Sequence, residues 1–596
     1  MGLRKAGPER PGSALVEAVL ARLLLDQPLL VRGVALEVVL CRSLERGVQR
    51  RLFFLRFQIF VLSHATILPL TPARRSGEPG RRGADPARTR VGRGRRACYR
   101  RWVRTLWRTT VPAIAAASLL ATPAHAVVPM ELSAGAAVRS GATPLVYVFV
   151  IDGADGDEYE NGRLPFIKGL VDKRGTYYAE SRAIMVAETN PNHTAMITGA
   201  YADTSGIPAN DFAMYGNGAS SAEGCPLEKR TQGPSTTGLA PACVKAQTIF
   251  QSTAAAEVRD KVTSAGIFGK PKLATLFAAK RSKKKYSADY LWTPCTGTPA
   301  PYCKKVPLNS FGYADDDATM DAVLASVRKG VPTEKGKRKK ANLTVVNLPT
   351  VDVTGHSYGV GKKYRKAVVR ADEQIKRFVR QQKKLDLWSR TVMFIVSDHS
   401  MATNERKTSL TEIFTAAGIP TSSYLIVQNG GTDFVYLADP AAADRDDLLR
   451  RMRQAALSAD PALGIDEALY RDPNPLDGDA ANTLDTVHPG WRLAGPRTGD
   501  LVVTQGVGGA FTDPINPVAG GHGGPNTTDN LFTITGGWKG IMKNGTLTGS
   551  QDPRFDDTGL NPGQAENVDV APTAMRLLGL EPPRDNEGRV LSEAFK

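Results

Sequence analysis

Cysteine is scarce in this chain: there are six among 596 residues, and no two stand in the C-x-x-C spacing of thiolate metal sites. A cysteine-held metal is therefore not expected. No internal repeat is evident, which sets aside a solenoid or propeller. Excess charge is also missing from most of the molecule. The formal net charge is +18, yet residues 1–126 hold 23 Lys and Arg against 7 Asp and Glu, a net of +16. The other 470 residues hold 54 basic and 52 acidic groups, a net of only +2. Nothing in that balance calls for a nucleic-acid partner. Apolar material is plentiful: 42% of the chain is hydrophobic, ample for a large buried core.

The basic N-terminal stretch reads as targeting. Arg95, Arg96, Arg100, Arg101, Arg104 and Arg108 precede a short apolar run from Thr110 to Thr122, and Ala124-His-Ala126 offers a small-x-small cleavage site. Residues 91–126 are therefore expected to be a secretory signal peptide, and the mature protein to be exported, periplasmic or secreted. The competing reading is an uncleaved anchor. The apolar run continues to Met130, but at about 20 residues it is marginal for a span, and Pro112 and Pro123 interrupt it. No stable membrane span is expected in the mature form. Residues 1–90, rich in Arg, Gly and Pro, are expected to be a spurious or disordered extension from a start site placed too early. The alternative is a genuine N-terminal module. Cleavage leaves Cys225, Cys243, Cys295 and Cys303, an even number that suits disulfides in an oxidising compartment. Local pairing of Cys225 with Cys243 and Cys295 with Cys303 is one of three connectivities; four free thiols are the alternative.

The mature body opens with Leu145-Val-Tyr-Val-Phe-Val-Ile151, a continuous apolar run of the kind a strand buried on both faces requires. Similar runs stand at Leu343–Leu348 and Val392–Val396, with helical patterns between, such as Tyr364–Lys383 and Arg445–Ala456. Alternation of this kind predicts an α/β fold with an open, mostly parallel sheet and helices on both faces. Residues 127–596 are expected to form one catalytic domain, with insertions at about 213–335 and 403–515. Lys280–Lys285 and Lys335–Lys340 are basic runs of solvated surface type. Ligands of open α/β sheets bind beyond the carboxyl ends of the strands, so polar residues that follow the apolar runs have a reason to converge.

Seven metal-binding or nucleophilic residues stand at those places. Asp152 follows the first run, and Thr189 lies in Glu188-Thr-Asn-Pro-Asn-His-Thr194. Asp352 and His356 share Asp352-Val-Thr-Gly-His356, Asp398 and His399 follow a third run, and His522 lies in Gly520-Gly-His-Gly-Gly524. Each alone has a commonplace reading, a helix cap for an Asp or a structural side chain for a His. Pro191 is a first-turn residue, which places Thr189 at a helix N-terminus, where free amides favour an anionic oxygen.

These segments resemble the alkaline phosphatase superfamily, in its type I phosphodiesterase/nucleotide pyrophosphatase branch. The resemblance runs from about Leu145 to the C-terminus through Thr-x-Pro-Asn-His at Thr189–His193, Ser205-Gly-Ile-Pro-Ala-Asn210, Asp352-x-x-Gly-His356, Ser397-Asp-His399 and Gly521-His-Gly523. Near the end, Asn567-Val-Asp-Val-Ala-Pro-Thr573 resembles the closing helix of that fold. The resemblance implies an alkaline-phosphatase-like sheet and hydrolysis of a phosphate ester through a phosphothreonine on Thr189. It implies two divalent metal ions, Zn²⁺ by the chemistry of the donors, held by Asp352, His356 and His522 and by Asp152, Asp398 and His399, with the Thr189 oxygen on the second. Asn210 matches the position whose amide meets a non-bridging phosphoryl oxygen. The expected partner is a small phosphorylated molecule, a phosphate ester or a nucleotide.

Two departures bear on the substrate. An aromatic usual after the nucleophile is replaced by Asn190, and Phe268-Gly-Lys-Pro-Lys272 carries a Lys270/Lys272 pair. That pair is either solvated surface or part of the site. In the second case it resembles alkaline phosphomonoesterase and phosphonoacetate-hydrolase branches, because a monoester has extra charge to be paired. A sulfatase is excluded, since no mature cysteine begins C/S-x-P-x-R.

Overall fold

The computed structural model describes residues 144–596, apart from 216–222, 228–234, 237, 256, 259, 260, 284, 297–299, 333–335, 514–515, 543–544 and 548–563. The expected signal peptide at 91–126 and the extension at 1–90 lie outside the described residues.

Nine strands build the central sheet: β1 Leu145–Ile151, β2 Gly175–Tyr178, β3 Ser264–Phe268, β4 Tyr290–Pro294, β5 Cys303–Lys304, β6 Leu343–Leu348, β7 Thr391–Val396, β12 Phe532–Gly536 and β13 Gly545–Leu547. Their spatial order is β13-β2-β12-β7-β1-β6-β3-β4-β5. All neighbours are parallel except the two pairings that β12 makes, with β7 and with β2. Numbers 8 to 11 belong to a second, four-stranded antiparallel sheet, β8 Tyr424–Asn429, β9 Thr432–Leu437, β10 Ile465–Tyr470 and β11 Leu501–Gln505, in the order β8-β9-β11-β10.

β1 is the middle strand of the nine. All seven of its residues are buried, because both faces of the sheet are covered. Val146, Val148 and Val150 pack on one face, with Met196 of α1 (Thr189–Thr198), Phe277 of α2 (Pro271–Phe277) and Val570 of α6 (Val570–Leu577). Leu145, Tyr147, Phe149 and Ile151 pack on the other, with Val323 of α3 (Asp316–Lys329) and Tyr364 and Phe378 of α5 (Lys362–Lys384). Phe378 stands edge-on to Tyr147 and Phe149 at 4.6 and 4.8 Å, and its truncation to alanine would cost about 3–5 kcal/mol. The remaining helix near the site, α4, spans Thr350–Tyr358.

Register sets what meets at the carboxyl edge. Ile151 pairs with Leu348, Val150 with Val396, and Asn347 with Phe268. The residues just after β1, β6, β7 and β3 therefore emerge side by side. The stretch 213–335 is more than an insertion, for it supplies β3, β4 and β5 of the central sheet together with α2 and α3. Ser264-Ala-Gly-Ile-Phe268 is short and three of its five residues are small, so its strand character comes from pairing with β6 rather than from its own apolar pattern. Residues 403–515 hold the four-stranded sheet and its own apolar cluster around Phe414, Met452 and Val503. Disulfides join Cys225 to Cys243 and Cys295 to Cys303. Among the described residues no helix is long and apolar enough to cross a membrane.

Candidate active site

Thr189 opens α1, and its hydroxyl points into a buried nest of charges at the sheet edge. The loop before it is held by Asn192, whose Oδ1 accepts from Ile184 N and whose Nδ2 donates to the carbonyls of Ile184, Val186 and Glu188. Thr189 Oγ1 accepts from Lys270 Nζ at 3.0 Å and lies 3.4 Å from His399 Nε2. Asp152, Asp352, Asp398, His399 and Lys270 are all buried around it.

Three histidines turn the same atom inward. Nδ1 of His356 is 2.9 Å from Gly520 O, that of His399 is 2.9 Å from Ser400 O, and that of His522 is 3.1 Å from Ala187 O. Each Nδ1–H donates to a carbonyl, which leaves the Nε2 lone pair directed at the site, as a metal ligand requires. His356 Nε2 is 3.2 Å and His522 Nε2 3.6 Å from Asp352 Oδ1; His399 Nε2 is 3.4 Å from Asp398 Oδ2 and 3.9 Å from Asp152 Oδ1. Two donors sharing a tetrahedral Zn²⁺ at about 2.0–2.1 Å stand about 3.3 Å apart. Two triads of donor atoms lie within 4.8 Å of one another, Asp352 with His399 and His522, and Asp152 with Asp398 and His399. Asp352 Oδ1 and Asp398 Oδ2 are buried and accept no hydrogen bond among the described residues. Such oxygens are costly unless something else meets them. The donor set and the orphaned oxygens thus fit two divalent cations. His399 stands close to both groups, while His356 is the partly exposed member at the rim.

The electrostatics follow from burial and crowding. Burial and the neighbouring His399 and His356 hold His522 well below the usual imidazole range, so it keeps a lone pair to give. Burial alone would lower Lys270, but the carboxylates of Asp152 and Asp352, at 2.6 and 2.8 Å, outweigh it and hold the ammonium well above the usual range.

The two lysines separate. Lys270 Nζ sits against Thr189 Oγ1, Asp152 and Asp352. Lys272 Nζ donates instead to Asn210 Oδ1 at 3.1 Å. That oxygen also accepts from Asn190 N at 2.8 Å, and Asn210 N donates to Glu188 Oε2 at 2.5 Å. With donors on its oxygen, the Asn210 amide keeps Nδ2 as its side-chain donor. Asn190, where an aromatic was expected, is part of this frame.

Sequence reasoning had no role for several residues found here. Glu188 is buried beside Thr189, and burial pushes its carboxyl up to about 7. Asn347 is the one polar side chain besides a threonine in the run Leu-Thr-Val-Val-Asn-Leu, a signal available in the sequence. Phe311 and Tyr313 lie at the rim, Phe311 stacking at 6.3 Å on Tyr313 and at 6.0 Å on His356. The second sheet also takes part. Gly431 N donates to His522 O at 3.0 Å, and Thr432 Oγ1 to Gly523 O at 2.7 Å. A Cβ on Gly430 would lie 2.0 Å from His522 O, so only glycine lets the β8–β9 turn come this close.

The family model for type I phosphodiesterase/nucleotide pyrophosphatase matches residues 146–526. A search of curated proteins found no match to the sequence. Among solved structures, the murine ectonucleotide pyrophosphatase/phosphodiesterase 5 is similar at 15% identity and a TM-score of 0.53, covering 76% of this chain and 100% of its own. The human protein of the same name is similar to the same degree, with the same identity, coverage and TM-score. An inactive threonine-to-alanine variant of the murine protein in complex with AMP is similar at 15% identity and a TM-score of 0.54, again over 76% of this chain and 100% of its own. At that identity the neighbours speak for the fold, an α/β architecture of the alkaline phosphatase type. The family match covers well over half the chain, so the chain belongs to the type I phosphodiesterase/nucleotide pyrophosphatase family of hydrolases.

Proposed function

We propose that the protein hydrolyses phosphodiester or pyrophosphate bonds of a nucleotide-like substrate through a phosphothreonine on Thr189, with two divalent metal ions, Zn²⁺ by donor chemistry. The observation that carries this reading is the convergence of Asp152, Asp352, Asp398 and the Nε2 atoms of His356, His399 and His522 around one buried threonine hydroxyl. Asp352, His356 and His522 would hold one ion and Asp152, Asp398 and His399 the other. When bound, the pair would lower the threonine pKa and neutralise charge on the attacking and leaving oxygens. Thr189 Oγ forms the bond to phosphorus while the bond to the leaving oxygen breaks and that oxygen takes up a proton. Water then hydrolyses the phosphothreonine and restores the hydroxyl. Lys270 Nζ, already on Thr189 Oγ1, would meet phosphoryl charge, and Asn210, its Oδ1 taken up by Lys272, would donate from Nδ2 to a non-bridging oxygen. The exposed ring of Phe311, with Tyr313 beneath it, offers a platform for a nucleobase, and the similar murine protein was captured with AMP.

A second reading, alkaline phosphomonoesterase or phosphonoacetate-hydrolase-like chemistry, is favoured by Lys270 alone. Its buried ammonium adds positive charge at the reacting centre, which suits a substrate with more than one negative charge. Two disulfides support export to an oxidising compartment after removal of residues 91–126, with residues 127–596 as the catalytic domain. Turnover of bis-p-nitrophenyl phosphate, p-nitrophenyl phosphate and a dinucleotide by the wild type and by Thr189→Ala tests the proposal. Thr189→Ala should lose activity by orders of magnitude on every substrate. Retention of more than about a tenth of kcat would remove Thr189 as nucleophile.

A further inference from the structure

Two buried polar side chains with no role in the chemistry tie Thr189 to the carboxylates around it. Asn347 lies on β6 and His193 on α1, both fully buried. A buried amide in an apolar strand is costly unless its groups are paired. Lys270 N–H donates to Asn347 Oδ1 at 3.2 Å, which fixes which end of the amide is which. Nδ2 therefore faces the other way, where it donates to Asp152 Oδ2 at 2.6 Å and stands 3.2 Å from His193 Nε2. Because Nδ2 can only donate, His193 Nε2 accepts, and the ring proton sits on Nδ1. Nδ1 is 2.9 Å from Thr189 O and 3.3 Å from Asp398 Oδ2.

One chain of contacts thus joins the Asp152 carboxylate, the backbone of the nucleophile and the Asp398 carboxylate. It occupies Asp152 Oδ2, so that Asp152 Oδ1 is the oxygen turned to Lys270 and His399. Asp398 is held from its other oxygen by Gly153 N, which donates to Oδ1 at 3.1 Å, with His193 against Oδ2. His193 shares the Nδ1-to-carbonyl arrangement of His356, His399 and His522, but Asn347 caps its Nε2 and keeps it out of the ligand set.

We propose that Asn347 and His193 are positioning residues: their Asn347 Nδ2–His193 Nε2 bridge selects the oxygen that Asp152 presents, steadies Asp398 Oδ2, which Gly153 N leaves facing the site, and fixes Thr189 between them. The proposal rests on the reading of Asp152 and Asp398 as metal ligands. Groups in that outer position typically govern metal affinity by about 10–100-fold.

The test uses the full-length enzyme with Zn²⁺ as the probe, titrated against a chromophoric chelator, beside steady-state kinetics at saturating Zn²⁺. Asn347→Asp keeps the shape but sets a carboxylate against Asp152 Oδ2; His193→Phe removes both ring nitrogens. Each should weaken Zn²⁺ about 10–100-fold and lower kcat with little change in KM. His193→Asn keeps a donor where Nδ1 was, and should recover most of the loss relative to His193→Phe. Should His193→Phe fail to fold, Asn347→Asp and His193→Asn still carry the comparison, being polar and no larger. Zn²⁺ affinity and kcat both within about threefold of wild type in the folded variants would overturn the proposal, as would His193→Asn behaving no better than His193→Phe. Asp152→Asn is the control. If it too binds Zn²⁺ as the wild type does, the ligand reading itself has failed, and the positioning role with it.

Discussion

Replacing Lys272 by methionine separates two accounts of the second lysine. Methionine keeps much of the aliphatic stem, so packing on α2 is preserved and only the ammonium is lost. In the structure that ammonium donates to Asn210 Oδ1, one of two donors on that oxygen. Loss of a hydrogen bond from a charged donor is worth about 1.5–3 kcal/mol. If Asn210 Nδ2 meets the phosphoryl group only as charge develops, the loss falls on the transition state, and kcat should drop about 10- to 150-fold. The phosphoryl group is common to diesters and monoesters, so both should fall alike. In an Asn210→Ala background, Lys272→Met should change kcat by less than about threefold, since its only route to the reaction is already gone. Steady-state kinetics on bis-p-nitrophenyl phosphate and p-nitrophenyl phosphate for the four members of this cycle supply the measurement. A loss confined to the monoester would show that Lys272 meets substrate oxygens itself. Additive losses in the double variant would equally refute action through Asn210.

Other consequences are open to direct measurement. Asp352→Ala and His522→Ala should each lower metal content from two ions toward one per chain by elemental analysis, since each removes a ligand from one group. Two retained ions in either variant would contradict the assignment. Asp316 is buried at the start of α3, where its Oδ1 accepts from Thr350 N at the head of α4, and burial pushes its carboxyl from 3.8 up to about 7. A carboxyl raised on folding favours the folded state fully below about pH 4 and loses that contribution as pH rises through about 7. The loss is at most about 4 kcal/mol. Asp316→Asn should therefore flatten the stability profile between about pH 4 and pH 8 in denaturant titrations, and an unchanged slope would show that Asp316 is ionised throughout.

How much could be read from the sequence depended on whether position along a strand decided the outcome. Asp152, Asp398 and His399 follow long apolar runs, so the end of the run already placed them at the sheet edge beside one another. Asp352 and His356 are four apart on α4, which puts both on one helix face toward the same centre. Cys225–Cys243 and Cys295–Cys303 are the local pairs, the ones that need no long loop closure. The stretch 213–335 was harder, because β3 owes its place to the neighbour it pairs with, and an isolated Ser-Ala-Gly-Ile-Phe carries no period. Glu188 and Asn347 were harder still. A single buried polar group has no pattern; its meaning lies in partners as far as 195 residues away, as for Asn347 and Asp152.

Lys270 and Lys272 show where the local pattern ends and three-dimensional geometry takes over. As a Lys-x-Lys pair they looked equivalent. Pro271 between them is the first residue of α2, and that breaks the equivalence. Lys270 is the residue before the helix, with extended backbone at φ −94° and ψ 115°, continuing the line of β3 past the sheet edge. From there its ammonium reaches the carboxylates of Asp152, after β1, and Asp352, after β6. Lys272 belongs to the first turn of the helix, where the chain has already rotated, and its ammonium leaves toward Asn210 instead. The proline that limits the residue before it to extended backbone thus sends the two charges to different places, one against Thr189 Oγ1 and one against Asn210 Oδ1.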